Sequence, residues 1–200
     1  MHEIGEVVFQ LSDVGDLTFA AGSTMATNIQ GELDVGSTAI GQGQVQASAL
    51  QMAIVAATIA DGGHRPRPTF AIAHPPPGPS VTSAAVARTV RRLMIGVVKE
   101  GTGTSAAISG VTVAGKTGTA ELKTECSSSG EASSSESSSS GCVGADSEAS
   151  NTDAWFAAFA PALRPRIVVG VLLVKEGAGG DTAAPVAREV LEAGLRATSH

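Results

Sequence analysis

Val111-Thr-Val-Ala-Gly-Lys-Thr-Gly-Thr-Ala-Glu121 carries the most distinctive chemistry of the chain. It opens as an alternating β-branched run, which predicts a strand. A single lysine then stands among small residues, Gly115, Lys116, Thr117, Gly118 and Thr119. The flanking glycines put up no side-chain wall, so another molecule can come close to the backbone. Thr117 and Thr119 are two apart and on a strand face the same side. One short segment therefore offers a cation, two hydroxyls and accessible backbone N–H groups. Such a set suits a carboxylate and an amide carbonyl lying along a strand edge. The competing reading is a surface strand with a solvated lysine.

Around this segment, the 200 residues suit one domain or a large part of one, and the 42% hydrophobic fraction is ordinary for a packed globule. A net charge of −6 gives no sign of a nucleic-acid partner. No apolar run approaches the roughly 20 residues needed to span a bilayer. No basic-then-apolar secretion signal opens the chain.

Residues 1–36 carry short apolar patches, Val7-Val-Phe9 and Leu17-Thr-Phe19, and predict irregular structure with one short helix. Ser48-Ala-Leu-Gln51 reads as a capping box opening a helix through Met52, Ile54, Val55 and Ile59 to a Gly62-Gly63 stop. Its apolar residues lie on all faces, which predicts burial. Thr69-Phe-Ala-Ile-Ala73 predicts a short strand, followed by a stiff proline loop from Pro75 to Pro79. Ser83 caps the next helix, with Val86, Val90, Leu93 and Val97 as its apolar stripe. Arg88, Arg91, Arg92 and Lys99 read as its solvated face.

Beyond the Lys-Thr-Gly segment, residues 124–150 are rich in serine, glycine and glutamate and cannot build a core. The chain's two cysteines, Cys126 and Cys142, bracket this insertion. In a reducing compartment they are idle thiols or a weak metal site with no histidine to complete it; in an oxidising one they form a disulfide. Thr152 to Ala160 predicts a strand with Trp155, Ala157 and Phe159 on one face and Phe156 and Ala158 on the other. Ile167 to Val174 is almost wholly apolar and predicts a strand buried on both faces. Asp181 or Thr182 caps the last helix, with Pro185 in its first turn and Val186, Val190, Leu191 and Leu195 as its packing face.

Lys116-Thr-Gly-Thr119 after an apolar strand resembles the third motif of the penicillin-recognising serine enzymes. Ala39-Ile-Gly-Gln-Gly-Gln-Val-Gln-Ala-Ser-Ala-Leu-Gln-Met-Ala53, Gly101-Thr-Gly-Thr104 and Ala154-Trp-Phe-Ala-Ala-Phe-Ala-Pro161 resemble further parts of the same family, in the same order. The likeness spans residues 20–197. It is specific to the transpeptidase domain of penicillin-binding proteins, because the Gly-Gln-Gly to Gln-Met-Ala stretch is a transpeptidase habit.

That resemblance implies an α+β fold, an antiparallel sheet with helices on both faces. It also implies that the chain is the C-terminal part of a single transpeptidase domain with a serine-rich insertion at about 124–150. The implied chemistry is acyl transfer between peptidoglycan stem peptides through a serine acyl-enzyme, a reaction that β-lactam antibiotics intercept, with no cofactor. By resemblance, Lys116 supplies positive charge to the substrate carboxylate, and Thr117 and Thr119 offer hydroxyls. Gly118 permits close approach, and the Thr119 N–H is one oxyanion donor.

The family's nucleophile lies in Ser-x-x-Lys, and its second motif is Ser-x-Asn; neither occurs in residues 1–100. The resemblance thus implies a missing N-terminal half and an anchor upstream, with this part held on the extracytoplasmic face of the cell membrane. It also favours a Cys126–Cys142 disulfide. The domain's first strand would lie upstream too, leaving an edge of the Ile167–Val174 strand without its partner. A non-catalytic penicillin-binding-like module, structural or sensory, and a serine β-lactamase fragment are the alternatives. His2, His64, His74 and His200 form no triad with Ser and Asp and read as surface residues.

Overall fold

The computed structural model describes residues 23–24, 29, 31–42, 45–68, 78–122 and 151–198. The predicted strand at Thr69–Ala73, the proline loop through Pro77, the patches before residue 20, the insertion, Cys126, Cys142, His2, His74 and His200 lie outside the described residues.

A small antiparallel pair, β1 (Ser23–Thr24) and β2 (Gln46–Ala47), flanks a short helix α1 (Gly31–Ala39). Helices α2 (Ala49–Ala60) and α3 (Ala84–Glu100) follow. Strands β3 (Ala114–Glu121), β4 (Thr152–Ala160) and β5 (Ile167–Leu173) then form one antiparallel sheet in the order β3-β4-β5. Helix α4 (Ala183–Ala197) closes the described structure.

The predicted helix starts are present. The Ser48 hydroxyl accepts from Gln51 N–H at 3.0 Å, and Ser83 accepts from Val86 N–H at 3.2 Å. Helix α2 ends where Gly63 N–H reaches back to the Thr58 carbonyl at 2.8 Å. At α4, Thr182 holds the cap position, but its hydroxyl donates to the Ala178 carbonyl instead of capping an amide.

The sheet carries helices on both faces, as the resemblance implies. On one face Ala114, Ala157, Phe159 and Val168 pack against Ala56 and Ile59 of α2 and Met94 of α3. On the other, Ala154, Phe156, Ala158, Val169 and Val171 pack against Ala184, Ala187, Leu191 and Leu195 of α4. Helix α3 runs beside β3 and contributes Met94 to the first cluster and Val98 to the second. The centre of β5 is buried, as its apolar run predicts, and α2 lies very close to it. A Cβ on Gly170 would sit 2.4 Å from the Ala49 carbonyl oxygen and 3.0 Å from the Ala53 nitrogen, so this contact requires glycine.

Four sequence expectations are corrected. The face that α3 buries is Ala87, Met94 and Val98, one position on from the predicted stripe; Val86 is 49% exposed and Leu93 65% exposed. Ala87 is fully buried, and a stripe chosen by residue size overlooks alanine. Helix α4 turns in the same sense, burying Ala187 while Val186 is partly exposed. Helix α2 is not buried all round, since Val55 is 43% exposed. Finally, β3 starts at Ala114 and not Val111, because Val111 N–H bonds Ile108 at 3.1 Å across a turn containing Gly110 (φ 74°).

Candidate active-site edge

β3 is the outer strand of its sheet among the described residues. Leu122 N–H donates to the Asn151 carbonyl at 2.9 Å, continuing the ladder just past the Glu121–Thr152 pair. In an antiparallel ladder, successive residues alternate between bonding the partner strand and pointing away from it. The backbone groups of Leu122, Ala120, Gly118 and Lys116 therefore face β4. Those of Thr119 and Thr117 face outward, and the Thr119 N–H has no backbone partner among the described residues. The Thr117 carbonyl, on the same outward side, accepts from Lys116 Nζ.

Side chains alternate the other way, between the two faces. Lys116 lies opposite Ala157 and Gly118 opposite Trp155 on the α2 side, while Thr117 lies opposite Phe156 and Thr119 opposite Ala154 on the α4 side. Lys116 and Thr119 are exposed; Thr117 and Gly118 are half-buried. All four predicted residues thus meet at one edge: a cation from one face, two hydroxyls from the other, and a backbone N–H in the plane between them.

Residues that sequence reasoning did not assign complete the edge. The Thr102 hydroxyl, just past the end of α3, lies 2.7 Å from the Thr117 hydroxyl. The Gly179 N–H donates to Thr119 Oγ1 at 3.4 Å. Gly179 can be nothing larger, because a Cβ there would sit 2.2 Å from the Trp155 carbonyl oxygen and 2.3 Å from that of Gly118. The loop carrying it is tied down by Gly177 N–H to Thr152 O, Lys175 N–H to Asp153 Oδ1 and Ala184 N–H to Gly179 O. A signal for Thr102 was present in the chain: Thr102-Gly-Thr104 repeats Thr117-Gly-Thr119, and the first threonines of the two tripeptides touch.

His64 is exposed, with Nδ1 3.2 Å from the Asp61 carbonyl oxygen, and takes no part in this edge. Among the described residues, no group of three His, Cys, Asp or Glu side chains is placed to hold a metal ion. No helix among them is long and apolar enough to cross a membrane.

The family model described as the penicillin binding protein transpeptidase domain matches residues 9–192. The chain belongs to that family. It is 34% identical over 179 residues to the peptidoglycan D,D-transpeptidase PbpA of Mycolicibacterium smegmatis, an alignment covering 81% of this chain and 32% of that protein. It is 35% identical over 180 residues to the protein of the same name from Mycobacterium tuberculosis, with the same coverage of each. The crystal structure of PBPA from M. tuberculosis superposes with a TM-score of 0.66 at 32% identity, covering 88% of this chain and 38% of the other. The imipenem acyl-enzyme complex of M. tuberculosis penicillin-binding protein A gives a TM-score of 0.63 at 34% identity, covering 88% and 37%. This chain therefore spans about a third of the length of the curated relatives it matches. The α+β sheet-and-helix arrangement is that of penicillin-binding transpeptidase domains.

Proposed function

We propose that this chain is the C-terminal part of a peptidoglycan D,D-transpeptidase domain and that the outer edge of β3 grips the carboxylate end of a stem peptide. The observation that carries the reading is the convergence of Lys116, the Thr117 and Thr119 hydroxyls and the outward Thr119 N–H on one strand edge in a member of this family. The M. tuberculosis relative's acyl-enzyme complex with imipenem supports a β-lactam as a second ligand of the same edge.

In this reading a stem peptide lies antiparallel along β3. Its terminal carboxylate meets the Lys116 ammonium and the two hydroxyls, and its scissile carbonyl oxygen takes a hydrogen bond from the Thr119 N–H. That N–H stabilises the negative charge that develops as a serine attacks. Gly118 keeps the strand narrow enough for the peptide to approach. The serine belongs to a Ser-x-x-Lys motif and the proton relay to a Ser-x-Asn motif, and residues 1–100 contain neither. The chain acts with an N-terminal half of the same domain, on the extracytoplasmic face of the cell membrane, and is inactive alone. The segment at about 124–150 is an insertion in this single domain, closed by a Cys126–Cys142 disulfide.

The test is acylation by a fluorescent penicillin. The 200-residue chain should take no covalent label. In the complete transpeptidase polypeptide, Lys116→Ala should slow labelling about 10- to 150-fold, from the loss of a charged hydrogen bond of about 1.5–3 kcal/mol. Labelling of the lone chain would overturn the assignment of the nucleophile. An unchanged rate for the variant would make Lys116 a solvated surface group.

A further inference from the structure

The two hydroxyls at the β3 edge are each held by a group outside the strand, and this bears on which way their protons point. A threonine hydroxyl has one proton to give and two lone pairs to receive with. Thr119 Oγ1 receives from the Gly179 N–H, so its own proton stays available to an incoming anion. Thr117 Oγ1 is 2.7 Å from Thr102 Oγ1, and one of the two must donate. If Thr102 donates, the Thr117 proton is free for the anion. If Thr117 donates, it turns a lone pair toward the anion and repels it.

We propose that Thr102 is a positioning residue for this edge: it donates to Thr117 and thereby aims the Thr117 proton at the ligand carboxylate. The inference rests on the reading of the β3 edge as a carboxylate grip. Thr102 is fixed for the task. Gly101 N–H and Gly103 N–H both bond the Val97 carbonyl, at 3.1 and 3.0 Å, securing the segment to the end of α3. On its other side the Thr102 carbonyl lies so close to Gly180 that a Cβ there would be 2.2 Å from it. Donation from Thr102 polarises the Thr117 hydroxyl and strengthens its own donation in turn. The edge thereby favours an anion over a neutral group of the same shape, since a carboxylate offers the aimed donors two charged oxygens and a primary amide only one neutral oxygen.

The experiment compares two probes on the complete transpeptidase polypeptide, acetyl-D-Ala-D-Ala and its C-terminal amide, by NMR titration of the Thr117, Gly118 and Thr119 amide signals. Wild type should bind the carboxylate peptide more tightly than the amide. Thr102→Val should weaken carboxylate binding about three- to tenfold, the range for one neutral hydrogen bond, and leave amide binding unchanged. Thr102→Ser should restore the wild-type ratio. Thr102→Ala, which removes the hydroxyl without a branched replacement, should match the valine variant and provides the measurement if valine disturbs the fold. Adding Thr102→Val to Thr117→Val should cause no further loss. A wild-type carboxylate-to-amide ratio retained in both Thr102→Val and Thr102→Ala overturns the role of Thr102 and leaves the grip standing. Absence of any carboxylate preference in wild type overturns the grip, and this inference with it.

Discussion

Replacing Gly115 with alanine tests how tightly β3 is set on the core. The new Cβ would lie 2.6 Å from Phe156 Cζ, 2.7 Å from Phe156 Cε1 and 3.2 Å from Val98 Cγ2. Carbon atoms settle at about 3.5–4.0 Å, so the ring must retreat by roughly 1 Å. It has little room, because Phe156 is fully buried and its far edge packs on Gly103, where a Cβ would be only 3.1 Å from Cε2. Overpacking of this kind costs about 1–3 kcal/mol. At about 2–4 °C per kcal/mol for a chain of this size, the melting temperature should fall by roughly 2–12 °C. Urea denaturation followed by the fluorescence of Trp155, the single tryptophan and Phe156's neighbour, measures the free energy. A cycle with Phe156→Ala sharpens the test. That change alone should cost about 3–5 kcal/mol, and less in the Gly115→Ala background, where the added methyl occupies vacated space. A Gly115→Ala protein within about 0.5 kcal/mol of wild type, or strict additivity in the cycle, would refute the packing argument.

Further expectations concern the caps, the insertion and the sheet edge. Ser48→Ala should cost about 1 kcal/mol in the same urea assay, through the lost bond to Gln51 N–H. Deleting residues 127–141 should change the melting temperature little, since loop-closure entropy changes only by about 0.6 kcal/mol per doubling of length; a large fall would show that the insertion packs on the domain. In protein recovered from the cell envelope, Cys126 and Cys142 should resist alkylation until reduced, and mass spectrometry finding both alkylated would refute the disulfide. Among the described residues, β5 pairs only with β4, and an unpaired apolar strand edge is a template for association. Light scattering should therefore show oligomers growing with concentration; a monodisperse monomer at all concentrations would show that edge to be covered.

Much of this arrangement could be read in the chain because local chemistry decides it. Ser48 and Ser83 cap their helices, Gly62-Gly63 stops one, and β4 runs from Thr152 to Ala160 with the predicted faces. What could not be read depends on contacts between distant segments. The buried face of α3 is set in part by how closely Val98 approaches Gly115 of β3, and residue size within the helix says nothing of that. The Thr102–Thr117 contact joins residues 15 apart and the Gly179–Thr119 contact residues 60 apart. Each needs the end of one helix and the loop before another to arrive at the same strand. Val111 alternates like a strand residue yet belongs to a turn, because the nearest acceptor for its N–H is Ile108.

The edge of β3 presents groups in three directions, with the ammonium of Lys116 reaching over from one face, the hydroxyls on the other, and the Thr119 N–H in the plane. All of them depend on one register. Sliding β3 by a single residue against β4 would carry every side chain to the opposite face and turn the Thr119 N–H into the ladder. The eight β3–β4 pairs from Ala114–Phe159 to Glu121–Thr152 therefore act as the clamp that keeps cation, hydroxyls and N–H together. A change far along the strand that loosened this pairing would scatter the edge without touching any of its residues.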